Sequence, residues 1–245
     1  MHRSKYMPKL SQVLETRDRT LNKHWIESSF DEYDLTQQRP SYKRTHFSPS
    51  QAHLCPRALY YYMLGYDQDP IPSQNLRRMG IGTVFHEFIE KKLVATGLMV
   101  SSEQEVTYDD PPIRGFYDAV IKRPSDDKEI LLELKSMAEP KPVGKKDHRY
   151  ETFLPRHDHL IQWNMYSLMT GINEGVIFYL IKNTQEYIIC ETERNQSIID
   201  TTLEKFRLVQ EYLAKGEHFP YQPDWKHDWC NFQVTCEKDY FIKGI

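Results

Sequence analysis

The segment that decides the fold is residues 114–135, RGFYDAVIKRPSDDKEILLELK. Its two halves, residues 114–122 and 129–135, are largely apolar, and the turn at residues 123–128 contains Pro, Ser and two Asp. Two apolar runs of strand length around such a turn are typical of an antiparallel hairpin. The sequence therefore predicts two neighbouring strands here, and the other elements are placed around them.

Three charged side chains interrupt these two strands. Asp118 lies in the first strand, whereas Glu133 and Lys135 share one face of the second because side chains alternate along a strand. Burying such charges unpaired costs several kcal/mol, so they need each other, a metal or solvent at a cleft. Hairpin pairing can bring Asp118 close to Glu133, and a hard divalent cation resolves the repulsion between two carboxylates. An ion pair on an edge strand is the alternative interpretation.

Helices and strands flank this hairpin in a mixed order. Apolar spacing predicts helices over residues 8–30, from Ser48 or Ser50 to Gly65, from Ser73 to Gly97, and over residues 157–169 and 196–214. Further strands are predicted at residues 103–108, 175–182 and 186–192, with an unstructured basic loop at 136–157 and an irregular tail at 219–241. The pattern indicates an α/β protein with a central mixed sheet of three to five strands. We expect an N-terminal helical extension, residues 1–45, and one domain, residues 46–245.

Composition excludes several classes of protein. With 10 Gly, 14 Pro and 13% aromatic residues in 245, the chain is neither collagen-like nor disordered. No apolar run approaches the ~20 residues of a membrane-spanning helix, and no signal peptide is visible, so a cytoplasmic location is expected. A net charge of −3 gives no overall sign of nucleic-acid binding. The four cysteines are expected to be reduced and available to metals.

Four short motifs follow one another along the chain. They are Gly82-Thr-Val-Phe-His86, Gly115-Phe-Tyr-Asp118, Glu133-Leu-Lys135 and Gln162-Trp-Asn-Met-Tyr166. This ordered set of GxxxH, GxxD, ExK and QxxxY resembles the signature of the PD-(D/E)XK nuclease superfamily, in particular its RecB-like branch. The Pro of the family's name is absent, since Tyr117 precedes Asp118, but that position varies within the branch.

The resemblance implies a restriction-endonuclease-like core and a role for each matching residue. Mg²⁺ or Mn²⁺ would be held by His86, Asp118, Glu133 and the backbone carbonyl of Leu134. Lys135 would orient or help to deprotonate the attacking water, and Gln162 and Tyr166 would position Lys135 and the DNA strand. These roles agree with phosphodiester hydrolysis, which needs a metal to neutralise charge on the phosphate and to activate water.

The cysteines extend the resemblance to the iron–sulfur members of this branch. Cys55 stands in a CPR segment, and Cys230 and Cys236 have the spacing of the family's C-terminal cysteines, but His227 replaces the first of them. The resemblance implies a structural [4Fe–4S] cluster on Cys55, His227, Cys230 and Cys236. A zinc site of three cysteines and one histidine is the alternative, as is a cluster with three cysteine ligands or with Cys190 as the fourth.

The function implied is that of a metal-dependent DNA exonuclease acting on single-stranded ends, like the iron–sulfur exonucleases of CRISPR adaptation and their phage-encoded relatives. Recombination and repair of DNA are the processes that the resemblance suggests. Arg57 is expected to face the bound strand, and the basic residues of the loop are expected to contact phosphates: Lys141, Lys145, Lys146 and Arg149. The alternatives are a DNA-binding or end-holding accessory protein with little cleavage, and an endonuclease of the same fold.

Overall fold

The computed structural model describes residues 23–140, 153–222 and 227–244. The chain divides into two compact units, of which the first combines the described residues up to Arg39 with Ile71–Met79. In this unit Arg77 forms ion pairs with α1, Trp25–Thr36. Its guanidinium lies 2.5 Å from Asp31 and 3.0 Å from Asp34. None of the helices in the described ranges is long and apolar enough to cross a membrane.

The described part of the second unit, Pro40–Pro70 with Gly80–Ile245, contains seven strands. They are β1 Met99–Ser102, β2 Glu105–Tyr108, β3 Ile113–Phe116, β4 Ala119–Lys122, β5 Glu129–Met137, β6 Glu174–Ile181 and β7 Tyr187–Glu193. Five of them form one sheet in the order β1-β4-β5-β6-β7, in which only β5 and β6 run parallel. The predicted α/β architecture with a mixed sheet is therefore confirmed, at the upper end of the expected strand number. Strands β2 and β3 form a separate hairpin.

Five further helices complete the described chain. They are α2 Pro56–Leu64, α3 Ser73–Ala95, α4 His157–Thr170, α5 Gln196–Lys215 and α6 Gln233–Lys243, with short 3₁₀ turns at Pro49–Gln51 and His227–Trp229. Helix α4 packs on one face of the sheet, where the buried Trp163 donates a hydrogen bond of 3.2 Å to the Leu131 carbonyl. On the other face Phe85 and Ile89 of α3 pack against Leu132. The central sheet is thus covered on both sides.

Helix α2 begins later than the sequence predicts. Pro49–Gln51 forms a 3₁₀ turn, and the α-helix starts only at Pro56, after Cys55. Proline is well suited to the first helical position because its missing N–H has no partner there, and the Cys55 thiol accepts a hydrogen bond from the Ala58 amide at 3.4 Å. The predicted start at Ser48 or Ser50 was wrong, whereas the end at Gly65, with φ of 77°, is confirmed.

Other boundaries also differ. The predicted strand 114–122 is interrupted at Tyr117 and Asp118, so that β3 and β4 belong to different sheets. The tail predicted to be irregular contains α6, and β1 was not predicted at all. Helix α1 ends at Thr36, six residues later than predicted, while the part of the predicted helix before residue 23 lies outside the described residues.

Candidate active site

Three carboxylates stand side by side where β1, β4 and β5 meet. Ser102 pairs with Ala119, and Ala119 pairs with Leu132. Extending this register by one residue predicts that Glu103 lies opposite Asp118 and Asp118 opposite Glu133, and the charges of each pair interact. The Glu103 amide is also hydrogen-bonded to the Asp118 carbonyl, at 3.4 Å. Cross-strand pairing therefore brings together residues that are far apart in sequence.

Asp118 is almost completely buried, with 8% of its surface exposed. Its Oδ2 accepts a hydrogen bond of 2.6 Å from the Leu134 amide, and its Oδ1 lies 3.4 Å from Nδ1 of His86 on α3. Burial raises the pKa of Asp118 above its ordinary value, and the positive charge of Lys135 opposes that shift. A neighbouring cation would therefore stabilise the ionised carboxylate.

Glu133 is the most deeply buried of the three carboxylates, at 1% exposure. Its Oε1 lies 2.5 Å from the Nζ of Lys135, which also donates a hydrogen bond of 3.2 Å to Oε1 of Gln162 on α4. Burial, followed by the negative charge of Asp118, raises the pKa of Glu133. Burial alone would lower the pKa of Lys135, but the carboxylates of Glu133 and Asp118 outweigh it and raise that pKa. The ammonium group is thus held charged inside the protein.

Three of these residues could hold a divalent cation. Single ligand atoms of His86, Glu103 and Asp118 lie within 4.8 Å of one another, and no other trio of His, Cys, Asp or Glu among the described residues comes this close. Two carboxylates and one imidazole form a donor set that suits Mg²⁺ or Mn²⁺. Burial and the charge of Lys135 lower the pKa of His86, which favours the neutral imidazole that a metal requires.

Glu103 is the member of this group that the sequence motifs missed. It follows β1, a strand that the sequence pattern does not predict, and it belongs to none of the four motifs. Only the pairing of β1 with β4 indicates that Glu103 reaches Asp118. A predicted strand at Met99–Ser102 would have been the signal for Glu103, because pairing of that strand with β4 places Glu103 next to Asp118.

The remaining motif residues lie around the same cluster. The backbone of Leu134 is hydrogen-bonded to the His86 imidazole as well as to Asp118. Tyr166 is buried on α4, with its hydroxyl hydrogen-bonded to the backbone of Phe116. Its pKa is raised by burial and then by the charges of Glu133 and Asp118.

A second cluster joins the start of α2 to the tail. The Cys230 thiol is hydrogen-bonded to Cys55, and burial raises the pKa of the Cys236 thiol to about 11. The buried Nε2 of His227 makes no hydrogen bond within the described residues, although Oε1 of Glu237 lies 3.4 Å away. Cys190 is elsewhere, packed on β7 with the side chains that cover the sheet.

The donor chemistry of this cluster fits a metal or an iron–sulfur centre. The ligand atoms of its four candidate residues do not all lie within 4.8 Å of one another, as those of the first site do. A tetrahedral zinc, with Zn–S bonds of about 2.3 Å, needs closer ligands.

Arg57 lies in the core, at 4% exposure. Its Nε donates a hydrogen bond of 2.9 Å to the Tyr61 hydroxyl, and its Nη1 donates one of 2.7 Å to the Phe219 carbonyl. The structure therefore places this guanidinium in contacts within the protein. The basic loop residues expected to contact DNA lie outside the described residues: Lys141, Lys145, Lys146 and Arg149.

Comparison with known proteins gives structural similarity without sequence similarity. No protein-family model and no curated protein matches the chain. The crystal structure of SSO0001 matches with a TM-score of 0.52 and 16% identity, over 87% of this chain and 96% of the other. An alkaline exonuclease from Laribacter hongkongensis, LHK-Exo, matches with a TM-score of 0.47 and 13% identity, over 77% and 93% of the two chains. Its complex with dAMP gives a TM-score of 0.49 with the same identity and coverage.

The likeness to SSO0001 shows a shared fold. The five-stranded mixed sheet with helices on both faces is compatible with a restriction-endonuclease-like core.

Proposed function

We propose that this protein is a metal-dependent DNA exonuclease of the RecB-like PD-(D/E)XK type that hydrolyses phosphodiester bonds from single-stranded ends. One observation carries the proposal: Lys135 contacts both Glu133 and Gln162, next to the pair formed by Asp118 and His86. Burying so many charged groups opposes folding unless they are paired or serve a function. Their order along the chain also matches the nuclease motifs.

We assign the cation to His86, Asp118, Glu133 and the Leu134 carbonyl, and we add Glu103 on the basis of its distance to His86 and Asp118. Mg²⁺ or Mn²⁺ bound there would lower the pKa of a water and neutralise charge on the scissile phosphate. Lys135 supplies a fixed positive charge close to that phosphate and orients the water. Gln162 holds the ammonium group in place through its carbonyl oxygen. Tyr166 supports the carboxylate side of the site from α4 and helps to position the strand.

The test is digestion of end-labelled linear and circular single-stranded DNA, with Mg²⁺, with Mn²⁺ and with chelator. Glu133→Gln and Lys135→Met should abolish the metal-dependent cleavage. Glu129→Gln, at the exposed start of the same strand, and Lys122→Met, in an exposed ion pair, are matched controls that should cleave like the wild type. Undiminished cleavage by the first two variants would contradict the site.

The same assay separates the proposed activity from its alternatives. Cleavage of circular DNA at the linear rate would identify an endonuclease. Binding of DNA without cleavage under any metal condition would identify an accessory protein that holds ends. Release of mononucleotides or short products from linear DNA alone supports the exonuclease.

We also propose that Cys55, Cys230, Cys236 and His227 bind a structural [4Fe–4S] cluster. The support is the contact between the Cys55 and Cys230 thiols and the buried Nε2 of His227, which a metal ligand bond would satisfy. Histidine can replace a thiolate on iron. Cys190 is the weaker candidate for the fourth ligand because it packs on β7 with another part of the core.

Anaerobically purified protein tests this assignment through its iron, acid-labile sulfide and zinc content and its visible absorption. His227→Ala should lower the iron content, whereas Cys190→Ala should retain it. A colourless protein with one zinc and no sulfide would contradict the cluster.

A further inference from the structure

The side chains of His159 and Tyr179 lie beside the contact between Lys135 and Gln162. Tyr179 is opposite Lys135 in the parallel pairing of β5 with β6, and both side chains contact α4. On that helix His159 precedes Gln162 by three residues, a spacing that brings Cβ atoms to about 5–6 Å of each other. Nδ1 of His159 is 2.9 Å from the Tyr179 hydroxyl. The imidazole is therefore a neighbour of the Lys135 ammonium group.

The contacts of Tyr179 determine which nitrogen of His159 carries the proton. The Tyr179 hydroxyl oxygen accepts a hydrogen bond of 3.2 Å from the backbone amide of Arg156. Tyr179 is completely buried, so its own proton needs an acceptor, and Nδ1 of His159 is the acceptor in reach. Burial, and then the charge of Lys135, lowers the pKa of His159 to about 4, so the ring is neutral at pH 7. A neutral ring that accepts at Nδ1 carries its hydrogen on Nε2.

The Nε2–H group of His159 has no acceptor at hydrogen-bonding distance among the residues that the structure describes. Oδ2 of Asp158 is 4.0 Å from Nε2, which is too far for a hydrogen bond. The Asp158 carboxylate instead accepts hydrogen bonds of 3.1 and 2.7 Å from the Arg156 guanidinium, which balances its charge. The side chains of His159 and Lys135 are 16% and 21% exposed, so a ligand can reach both of them.

We propose that Nε2 of His159 donates a hydrogen bond to a phosphate oxygen of the DNA strand, next to the phosphate that Lys135 contacts. A phosphate fits this position because the ammonium group attracts its charge, while the neutral N–H adds a hydrogen bond without burying a further charge. Contacts of this kind position a strand and carry no sequence information. The inference rests on the proposed function, since it requires a DNA strand at the carboxylate cluster.

Two substitutions separate the roles of the two ring nitrogens. Asparagine keeps an acceptor near the position of Nδ1 and can hold the Tyr179 contact, but its side chain is too short to replace Nε2. Glutamine places its amide group near the position of Nε2 and gives up the Tyr179 contact. Fluorescence anisotropy with a labelled oligothymidylate measures the dissociation constant, with Ca²⁺ in place of the catalytic cation. His159→Asn should bind at least about 10-fold more weakly than the wild type. His159→Gln and the exposed control His218→Asn should bind nearly as tightly as the wild type.

A change in the strand identifies the acceptor. A methylphosphonate linkage replaces one phosphate oxygen with a methyl group, which removes both an acceptor and the charge. When this linkage is moved along the oligothymidylate, the wild type should lose more affinity than His159→Asn at one position. Equal losses in the two proteins at every position would overturn the phosphate contact.

The inference is also overturned if the wild type does not bind the unmodified strand, if His159→Asn binds as tightly as the wild type, or if His159→Gln binds no more tightly than His159→Asn. Wild-type affinity in the asparagine variant with weaker binding by the glutamine variant is the result expected of a residue that only supports Tyr179. These measurements need no cleavage. A wild type that binds the strand but does not cleave it with Mg²⁺ or Mn²⁺ contradicts the proposed activity alone.

Discussion

The backbone amide of Leu134 donates a hydrogen bond of 2.6 Å to Oδ2 of Asp118. The Asp118 carboxylate, which precedes β4, is thereby bound to the backbone of β5. This hydrogen bond fixes the orientation of the carboxylate. An asparagine at this position can still accept the hydrogen bond through its amide oxygen, which makes Asp118→Asn a suitable test of the charge.

Asp118→Asn should reduce metal-dependent DNA cleavage at least about 100-fold, because it removes a charged metal ligand. Without metal the variant should unfold at the same temperature as the wild type or higher, since it no longer buries a carboxylate. Thermal unfolding with and without Mn²⁺ measures both effects. The exposed Asp109→Asn is the control. Equal stabilisation by Mn²⁺ in Asp118→Asn and the wild type would rule out the assigned ligand.

Lys135→Met should lower the free energy of unfolding in chelator by about 3 kcal/mol, because it leaves the Glu133 carboxylate buried without its partner. Adding Glu133→Gln to that variant should restore most of the loss. Urea titration of the two single variants and the double variant gives the coupling energy. Lys128→Met, in an exposed ion pair, should change stability by less than about 1 kcal/mol. Additive effects of the two core substitutions would contradict the buried pair.

His159 should make the protein sensitive to acid. Burial, and then the charge of Lys135, lowers the pKa of His159 to about 4, from an ordinary value of 6.5. The unfolded chain therefore binds the proton first, so stability is full above about pH 6.5 and falls as the pH decreases towards 4. This lowering of the pKa corresponds to a loss of up to about 3 kcal/mol in the free energy of unfolding.

Replacing His159 with asparagine should remove that part of the acid sensitivity. The amide oxygen can take over the contact of Nδ1 with the Tyr179 hydroxyl, now 2.9 Å. Unfolding by urea at pH 7 and at pH 4.5 measures the difference, with the exposed His218→Asn as control. An unchanged pH dependence in His159→Asn would show that other groups cause it.

Gly175→Ala should destabilise the protein by about 2 kcal/mol or more. A Cβ atom there would meet the Leu131 carbonyl and would lie 2.7 Å from the ring of Trp163, in a well-packed region. Gly82→Ala is the matched control, because a Cβ at that helical position has open space around it. The free energy of unfolding of this control should rise by about 0.4–1 kcal/mol. Urea denaturation of both variants checks the prediction, and similar stabilities would contradict this packing.

The sequence was most informative where structure is local. Nearby residues determine the hairpin around residues 123–128, the common face of Glu133 and Lys135, and the helical spacing of Gln162 and Tyr166. The observed contact of Lys135 with Gln162 agrees with the motif assignment. The position of Glu103 depends instead on the pairing of β1 with a strand about twenty residues later. Register between distant strands is set by the whole core, which no short motif contains.

The surroundings of Arg57 show a related limit. Its helix, PRALYYYML, has one charged residue among apolar and aromatic ones, and the sequence does not indicate which of its sides is covered. The DNA contact that the resemblance implies for Arg57 stays a prediction. In the structure seven consecutive residues of α2 are buried, because α5, α6 and the segment around Phe219 cover the helix. Tertiary contacts therefore override the local pattern in this part of the chain.

The hydrogen bond from the Tyr61 hydroxyl to Asp239, at 2.9 Å, joins residues that are 178 positions apart. Closing so long a loop costs conformational entropy, which contacts made earlier within the sheet can reduce. The junction of α2 and α6 should thus be completed last during folding. Kinetic experiments should then find that Tyr61→Phe mainly accelerates unfolding and leaves the refolding rate nearly unchanged.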